Sequence, residues 1–241
     1  MKDYAFHLLF TGYPYVCLTV FLLGSLVRFD REQYTWRAGS SQLLRKRQLR
    51  WGSNLFHVGI LFLMAGHFVG LLTPTSLYTL LITVEQKQVL AVAAGGIAGT
   101  LCFVGLTILL HRRLVDPRIR STSSRMDIAL LVLLWVQLSL GLLTIPLSLG
   151  HLDGSVMLIL SHWAQGIVTL HPVDARTLQG LAWPYLVHLV LGMTLFLVFP
   201  FSRLVHIWSA PVWYLGRRGY QVVRSRRAPT RSTTQPARGQ S

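Results

Sequence analysis

The most constraining stretch of the chain is Asn54 to Gly70, which reads NLFHVGILFLMAGHFVG. It is apolar enough to lie in a lipid bilayer, yet it carries His57 and His67. On a helix rising 1.5 Å per residue these two stand about 15 Å apart, half of a hydrocarbon core roughly 30 Å thick. An ionisable side chain at such a depth is costly and marks a functional site whose partner should be sought. A second apolar run, VLGMTLFLVFPFSRLV, is flanked by His188 and His206 and supplies that partner.

These runs are not isolated. Hydrophobic residues make up 52% of the 241 and charged residues 13%, with several apolar stretches near or above the length of a span. The sequence therefore predicts an all-α membrane protein with five transmembrane helices, at about Ala5–Val27, Trp51–Leu72, Gln88–Leu110, Asp127–Ile145 and Pro184–Phe199. Tyr13-Pro14-Tyr15 predicts a kink in the first span and Pro146 a stop after the fourth. The connection Leu147 to Gly180 contains MLILSHWAQGIVTL, too short to cross and expected to lie over the outer face. Lys87 falls in the loop before the third span. Gly95 and Gly99 form a G-x-x-x-G that permits close helix approach or contact with a flat cofactor.

The formal charge is +15. Residues 28–50, 111–126 and the chain from Arg203 onward hold 20 of the 23 cations. Cation-rich loops stay in the cytoplasm, which predicts an outer N-terminus, a cytoplasmic C-terminus and an outer fourth loop. No soluble basic module remains to bind nucleic acid. The organisation expected is one membrane domain over 1–225 and a basic, disordered cytoplasmic tail over 226–241.

This topology orders the histidines. The second span runs outward and the fifth inward, so His67 pairs with His188 on the outer half and His57 with His206 on the inner half. The heights match imperfectly: 18 residues separate His188 from His206, about 27 Å if helical throughout. Zinc wants four ligands per site, commonly with Cys or carboxylate among them. A porphyrin supplies four donors itself, so two imidazoles per site point to two haems with both axial positions filled, an arrangement suited to electron transfer. Gly59, Gly66, Gly70 and Gly192 are candidates for close approach of a macrocycle, and Arg112, Arg113 and Arg203 for propionate contacts. Cys17 and Cys102, without a Cys-x-x-Cys-His, exclude an iron–sulfur cluster and covalent haem in this chain. His7, His111, His151, His162 and His171 lie at span ends or in loops and take no ligand role. Three other readings stand beside this one: histidines bonded to neighbouring helices, a proton-coupled transporter, and a plain membrane anchor. A transporter calls for carboxylates within the spans and an internal repeat, and neither is evident.

QYTWRAGSSQ, SNLFHVGILFLMAGHFVGLLTP, LTIPLS, HLDGS and HLVLGMTLFLVFPFSRLVHIWS resemble the gamma subunit (cytochrome b subunit) of membrane-bound respiratory nitrate reductase, over about residues 10 to 225. The resemblance implies two b-type haems, with His67 and His188 on the distal one and His57 and His206 on the proximal one. It implies a quinol site beside the distal haem with Lys87 and Gly66. It further implies electron delivery to a cytoplasmic iron–sulfur (beta) subunit and a molybdenum (alpha) subunit that reduces nitrate to nitrite. Neither of those centres belongs to this chain. A bacterial cytoplasmic (inner) membrane follows as the location. QYTWRAGSSQ and the segment Arg203 to Tyr220 are the expected docking surface. A terminal reductase other than nitrate reductase is the alternative use of the same quinol-oxidising module.

Overall fold

A computed structural model of the chain describes residues 2–32 and 44–209, and every regular element among them is helical. The docking stretch expected at QYTWRAGSSQ, the segment 210–220 and the 225/226 domain boundary lie outside the described residues. Five helices are long and apolar enough to cross a membrane: α1 (Asp3–Arg31), α2 (Lys46–Leu72), α3 (Val84–Val115), α4 (Arg125–Leu149) and a fifth run, Trp183–Phe201. The regular part of that run is α6 (Trp183–Val198), and the shorter helix α5 (Ser155–Val168) precedes it.

The third and fourth spans overrun the expected bounds because their N-caps lie in polar sequence ahead of the apolar run. Thr83 and Gln86 form a reciprocal capping box that starts α3 ahead of Gln88, so Lys87 is on the helix and not in a loop. Ser124 and Asp127 form the equivalent box for α4. Pro146 does not stop α4, which continues to Leu149. A proline three residues from a helix end forfeits one donor near carbonyls that are already unpaired, so the turn survives it.

The irregularity near Pro14 is a π-helical turn, Leu8–Gly12, inside α1. Pro14 has no N–H to donate to the carbonyl four residues back, which is that of Phe10. That oxygen instead accepts the Trp163 indole N–H at 2.8 Å, pinning α5 to α1. Around this bond Phe10, Trp163, Ala164, Ile167, Ala175 and Leu178 form a buried cluster, with Leu71 and Leu72 of α2 packed against it. Gln165 donates to the carbonyls of Leu71 and Thr73, satisfying the C-terminal end of α2.

The spans are arranged as a chain of close neighbours, α2–α3–α4–α6, with α1 against α6. The α2/α3 contact is built on small residues. A Cβ on Gly105 would stand 2.3 Å from the Phe56 nitrogen, and one on Gly59 would stand 2.6 Å from the Cys102 nitrogen. In a bilayer, where apolar surface gains nothing by leaving lipid, such close backbone approach is what holds helices together. Gly59 is therefore a packing residue and not an approach point for a cofactor. Of the G-x-x-x-G pair, Gly99 faces Leu142 on α4, and Gly95 has open space around it.

Candidate functional site

The four histidines pair His57 and His67 of α2 with His188 of α6 and His206, which lies just beyond the fifth run. The His67 and His188 ring centroids are 6.3 Å apart, and those of His57 and His206 are 6.4 Å apart. His57, His67 and His188 are on regular helices, ten residues separating the first two. His206 is not: α6 ends at Val198, a 3₁₀ turn covers Phe199–Phe201, and a second 3₁₀ run covers Arg203–Ser209.

That break resolves the height mismatch. A 3₁₀ helix rises more per residue than an α-helix, so tightening alone lengthens the run. The chain turns instead, through Ser202 in extended conformation (φ −119°, ψ 179°). Trp208 consequently returns to within 6.0 Å of the Phe199 ring and 5.8 Å of Phe21, whereas nine residues of straight helix span about 13 Å. Pro200 seats on Gly24 of α1, and the carbonyls of Pro200 and Ser202 accept hydrogen bonds from Arg28.

All four rings are oriented by backbone carbonyls. His57 Nδ1 bonds the Ser53 carbonyl at 2.7 Å, with the Ser53 hydroxyl also at 3.2 Å. His67 Nδ1 bonds the Leu63 carbonyl at 2.7 Å, His206 Nδ1 that of Arg203 at 2.5 Å, and His188 Nδ1 that of Gln137 at 3.0 Å. A carbonyl only accepts, so in each of these bonds Nδ1 donates its proton, and in the neutral ring Nε2 is then the lone-pair nitrogen. This is how a metal-ligating histidine is fixed by its outer-shell partner. The Gln137 amide approaches His188 Nε2 at 3.5 Å, but its better bond, 3.0 Å, goes to the His188 carbonyl.

The spacing fits one metal between each pair. A metal–imidazole bond is about 2.0 Å and the ring nitrogen lies about 1.1 Å from its centroid, so two rings bonding one ion in line have centroids roughly 6.2 Å apart. No group of three or more His, Cys, Asp or Glu gathers among the described residues, so a site made wholly of protein donors has no candidate there. A porphyrin, which brings four donors, matches a two-histidine set. Beside His67, Gly66 and Gly70 present bare helix backbone with nothing within 4 Å of either Cβ position. Gly141 matters for a different reason: a Cβ there would stand 2.9 Å from His188 Cε1, so its lack of a side chain makes room for the ring. Gly192 lies against Gln137.

Each candidate propionate arginine has a protein partner. Arg112 donates to the Leu44 carbonyl at 2.7 Å. Arg113 and Arg203 both pair with Asp127, Arg113 at 3.6 Å. Asp127 is only 6% exposed and is absent from the sequence-based site, because nothing in its local spacing shows that two distant arginines converge on it.

Lys87 is 7% exposed, and its ammonium sits 3.6 Å from the centroid of the Tyr78 ring. Its Nζ, the Tyr78 hydroxyl and the Thr75 hydroxyl are buried without a hydrogen-bond partner among the described residues. Lys87 does not touch the Gly66 Cβ position, which has no neighbour within 4 Å. Tyr78 was not read from the sequence; an aromatic nine residues before a lone lysine is the signal that was there.

Residues 6–226 match the family described as nitrate reductase gamma subunit. The respiratory nitrate reductase 1 gamma chain of Escherichia coli K12 is 54% identical over 217 residues, covering 90% of this chain and 96% of that one. The respiratory nitrate reductase 2 gamma chain of the same organism is 53% identical, over 89% and 95%. The nitrate reductase gamma chain of Bacillus subtilis 168 is 38% identical, over 88% and 95%.

Proposed function

The chain belongs to the nitrate reductase gamma subunit family, and from that premise we propose that it oxidises membrane quinol and passes the electrons through two haem b groups to partner subunits that reduce nitrate to nitrite. The observation that carries the reading is the pair of histidine pairs, 6.3 and 6.4 Å between centroids, each ring with Nδ1 committed to a carbonyl and Nε2 left as a lone pair. When bound, haem b supplies a one-electron carrier at each pair. His67 with His188, and His57 with His206, would each hold one haem, and iron bound by two imidazoles would suit electron transfer more than oxygen binding. The carbonyls of Ser53, Leu63, Gln137 and Arg203 hold the four rings in the ligating tautomer and raise their basicity.

Lys87 is the quinol-site residue, with Gly66 beside His67. A buried ammonium whose one contact among the described residues is an aromatic face has donors to spare, and a quinol oxygen is an acceptor that would take one. Placing the cation-rich segments 28–50 and 111–126 in the cytoplasm puts His67, His188 and Lys87 on the outer half. Protons from quinol would then leave outside, and haems held by the His67–His188 and His57–His206 pairs would supply a route for its electrons toward the cytoplasmic side. The partners are an iron–sulfur subunit and a molybdenum subunit on the cytoplasmic face of the bacterial inner membrane.

The test is a reduced-minus-oxidised optical spectrum with a haem count on the purified chain. Two low-spin b haems per chain support the reading. One haem puts one histidine pair in question, and none in a folded chain made under haem-replete conditions overturns it.

A further inference from the structure

Three of the four histidines are held by regular helices, but His206 sits in a seven-residue 3₁₀ run that follows the extended Ser202. Such runs beyond three or four residues are uncommon, because their hydrogen-bond geometry is poor. The placement of the His206 ring to match His57 therefore needs a tether from outside the run.

Asp127 provides one. Its carboxylate closes the capping box at the start of α4, pairs through Oδ1 with Arg203 Nε, and lies 3.6 Å through Oδ2 from Arg113 at the end of α3. Arg113 in turn donates to the Ser123 hydroxyl at 3.0 Å. Arg203 is the first residue of the His206 run, and its carbonyl accepts the His206 Nδ1–H at 2.5 Å. One 6%-exposed carboxylate thus joins two helix ends to the residue that orients the ring.

We infer that Asp127 is a positioning residue for His206, acting through Arg203. The inference rests on the haem reading above. Replacing the carboxylate leaves Arg113 and Arg203 facing each other without the charge that draws them together, which frees the turn. Loss of a group bonded directly to a ligand typically weakens a metal site about 10- to 100-fold, and Asp127 acts one link further out, through Arg203, so its effect belongs at the lower end of that range.

The experiment uses the purified complex carrying the full-length chain, with haem loss to excess apomyoglobin followed while low-spin electron paramagnetic resonance signals report each haem. Asp127→Asn should speed loss of the His57–His206 haem by about 10-fold or more and shift its signal, with the His67–His188 haem unchanged. Arg203→Gln should behave alike, and the double variant should be no worse than the more severe single. Ser124→Ala, which removes the cap partner and keeps the charge, should leave both haems in place. An unchanged loss rate and signal in Asp127→Asn, or equal loosening of both haems, overturns the inference. If Asp127→Asn does not assemble, the partly exposed Arg203→Gln decides the same question. A parent chain without haem, or a His206→Ala variant keeping both, overturns the haem reading itself and the inference with it.

Discussion

Replacing Gly105 by alanine tests whether the α2/α3 interface sets the position of the histidine-bearing helix. The added Cβ would stand 2.3 Å from the Phe56 nitrogen and 2.8 Å from the Gly52 carbonyl oxygen, both backbone atoms that no rotamer change can move. Ordinary contact begins near 3.5 Å, so α2 and α3 must separate by about 1 Å. Overpacking of this kind costs about 1–3 kcal/mol, and the better helix propensity of alanine returns up to about 1 kcal/mol. The net expectation is a loss of up to about 3 kcal/mol, or about 2 where the full propensity gain is realised. Phe56 precedes His57, so the displacement falls on the residue that must stay 6.4 Å from His206. The matched control is Gly95→Ala on the same helix, where the Cβ meets nothing within 4 Å and the propensity gain stands alone. Thermal unfolding in detergent, followed by tryptophan fluorescence, should rank Gly95→Ala at or above the parent and Gly105→Ala below it. Equal midpoints for the two variants would refute the packing argument, because the helix and the substitution are the same and only the neighbour differs.

Tyr78→Leu removes an aromatic face 3.6 Å from the Lys87 ammonium, an interaction worth up to about 2 kcal/mol when desolvated. The KM for quinol should rise, by up to roughly 30-fold, with both haems retained; Tyr78→Phe, which keeps the face, should stay near the parent. Lys87→Ala should also keep both haems and weaken quinol oxidation, and unchanged quinol kinetics would remove Lys87 from the site. His206→Ala should lose one of the two haems in the optical spectrum, and retention of both would dismantle the proposed pairing. Trp163→Phe leaves the buried Phe10 carbonyl without its donor and should destabilise the chain by about 1–3 kcal/mol, read as a lower unfolding midpoint.

The sequence makes the spans legible because an apolar run of that length has few other uses, and it makes the helix direction legible through alternation. Caps were equally present in the letters: Thr-x-x-Gln at 83–86 and Ser-x-x-Asp at 124–127 fix the true helix starts. Reading by hydropathy alone passes over them, since capping residues are polar and lie outside the apolar run, and so Lys87 reads as a loop residue. Gly59 was ambiguous for a physical reason, since close helix approach and close cofactor approach both demand the smallest side chain. The redirection at Ser202 was not legible. Pro200 announces a break, but the direction taken after it depends on Gly24 and Arg28, which lie more than 170 positions away in sequence. Gln137, Gly141 and Asp127 were hidden for the same reason, each acquiring its role only when α4 meets α6 or the 3₁₀ run.

Polar groups within the spans separate into two sets, and the separation bears on function more directly than any single contact. Tyr13 bonds Thr194, Trp135 bonds Thr107, and Ser148 bonds Tyr185, so these side chains join helices and have their partners. In a bilayer a group without a partner finds no water to replace it, so an unpaired one carries a lasting cost. Tyr15 and Ser25 on α1 have no side-chain hydrogen-bond partner among the described residues and bear such a cost there, with no function apparent from their surroundings. Lys87 Nζ, over the Tyr78 ring, has no hydrogen-bond partner among the described residues and bears it too. At His57, His67 and His206 a backbone carbonyl of the same segment takes Nδ1 and leaves Nε2 without a bond to a neighbouring helix among the described residues, whereas His188 bonds Gln137 of α4 through Nδ1 at 3.0 Å and, more weakly, through Nε2 at 3.5 Å. What distinguishes these four from His171, whose Nδ1 also bonds a carbonyl, is that they come in two matched pairs, 6.3 and 6.4 Å between centroids, a spacing compatible with ligation of one metal by each pair.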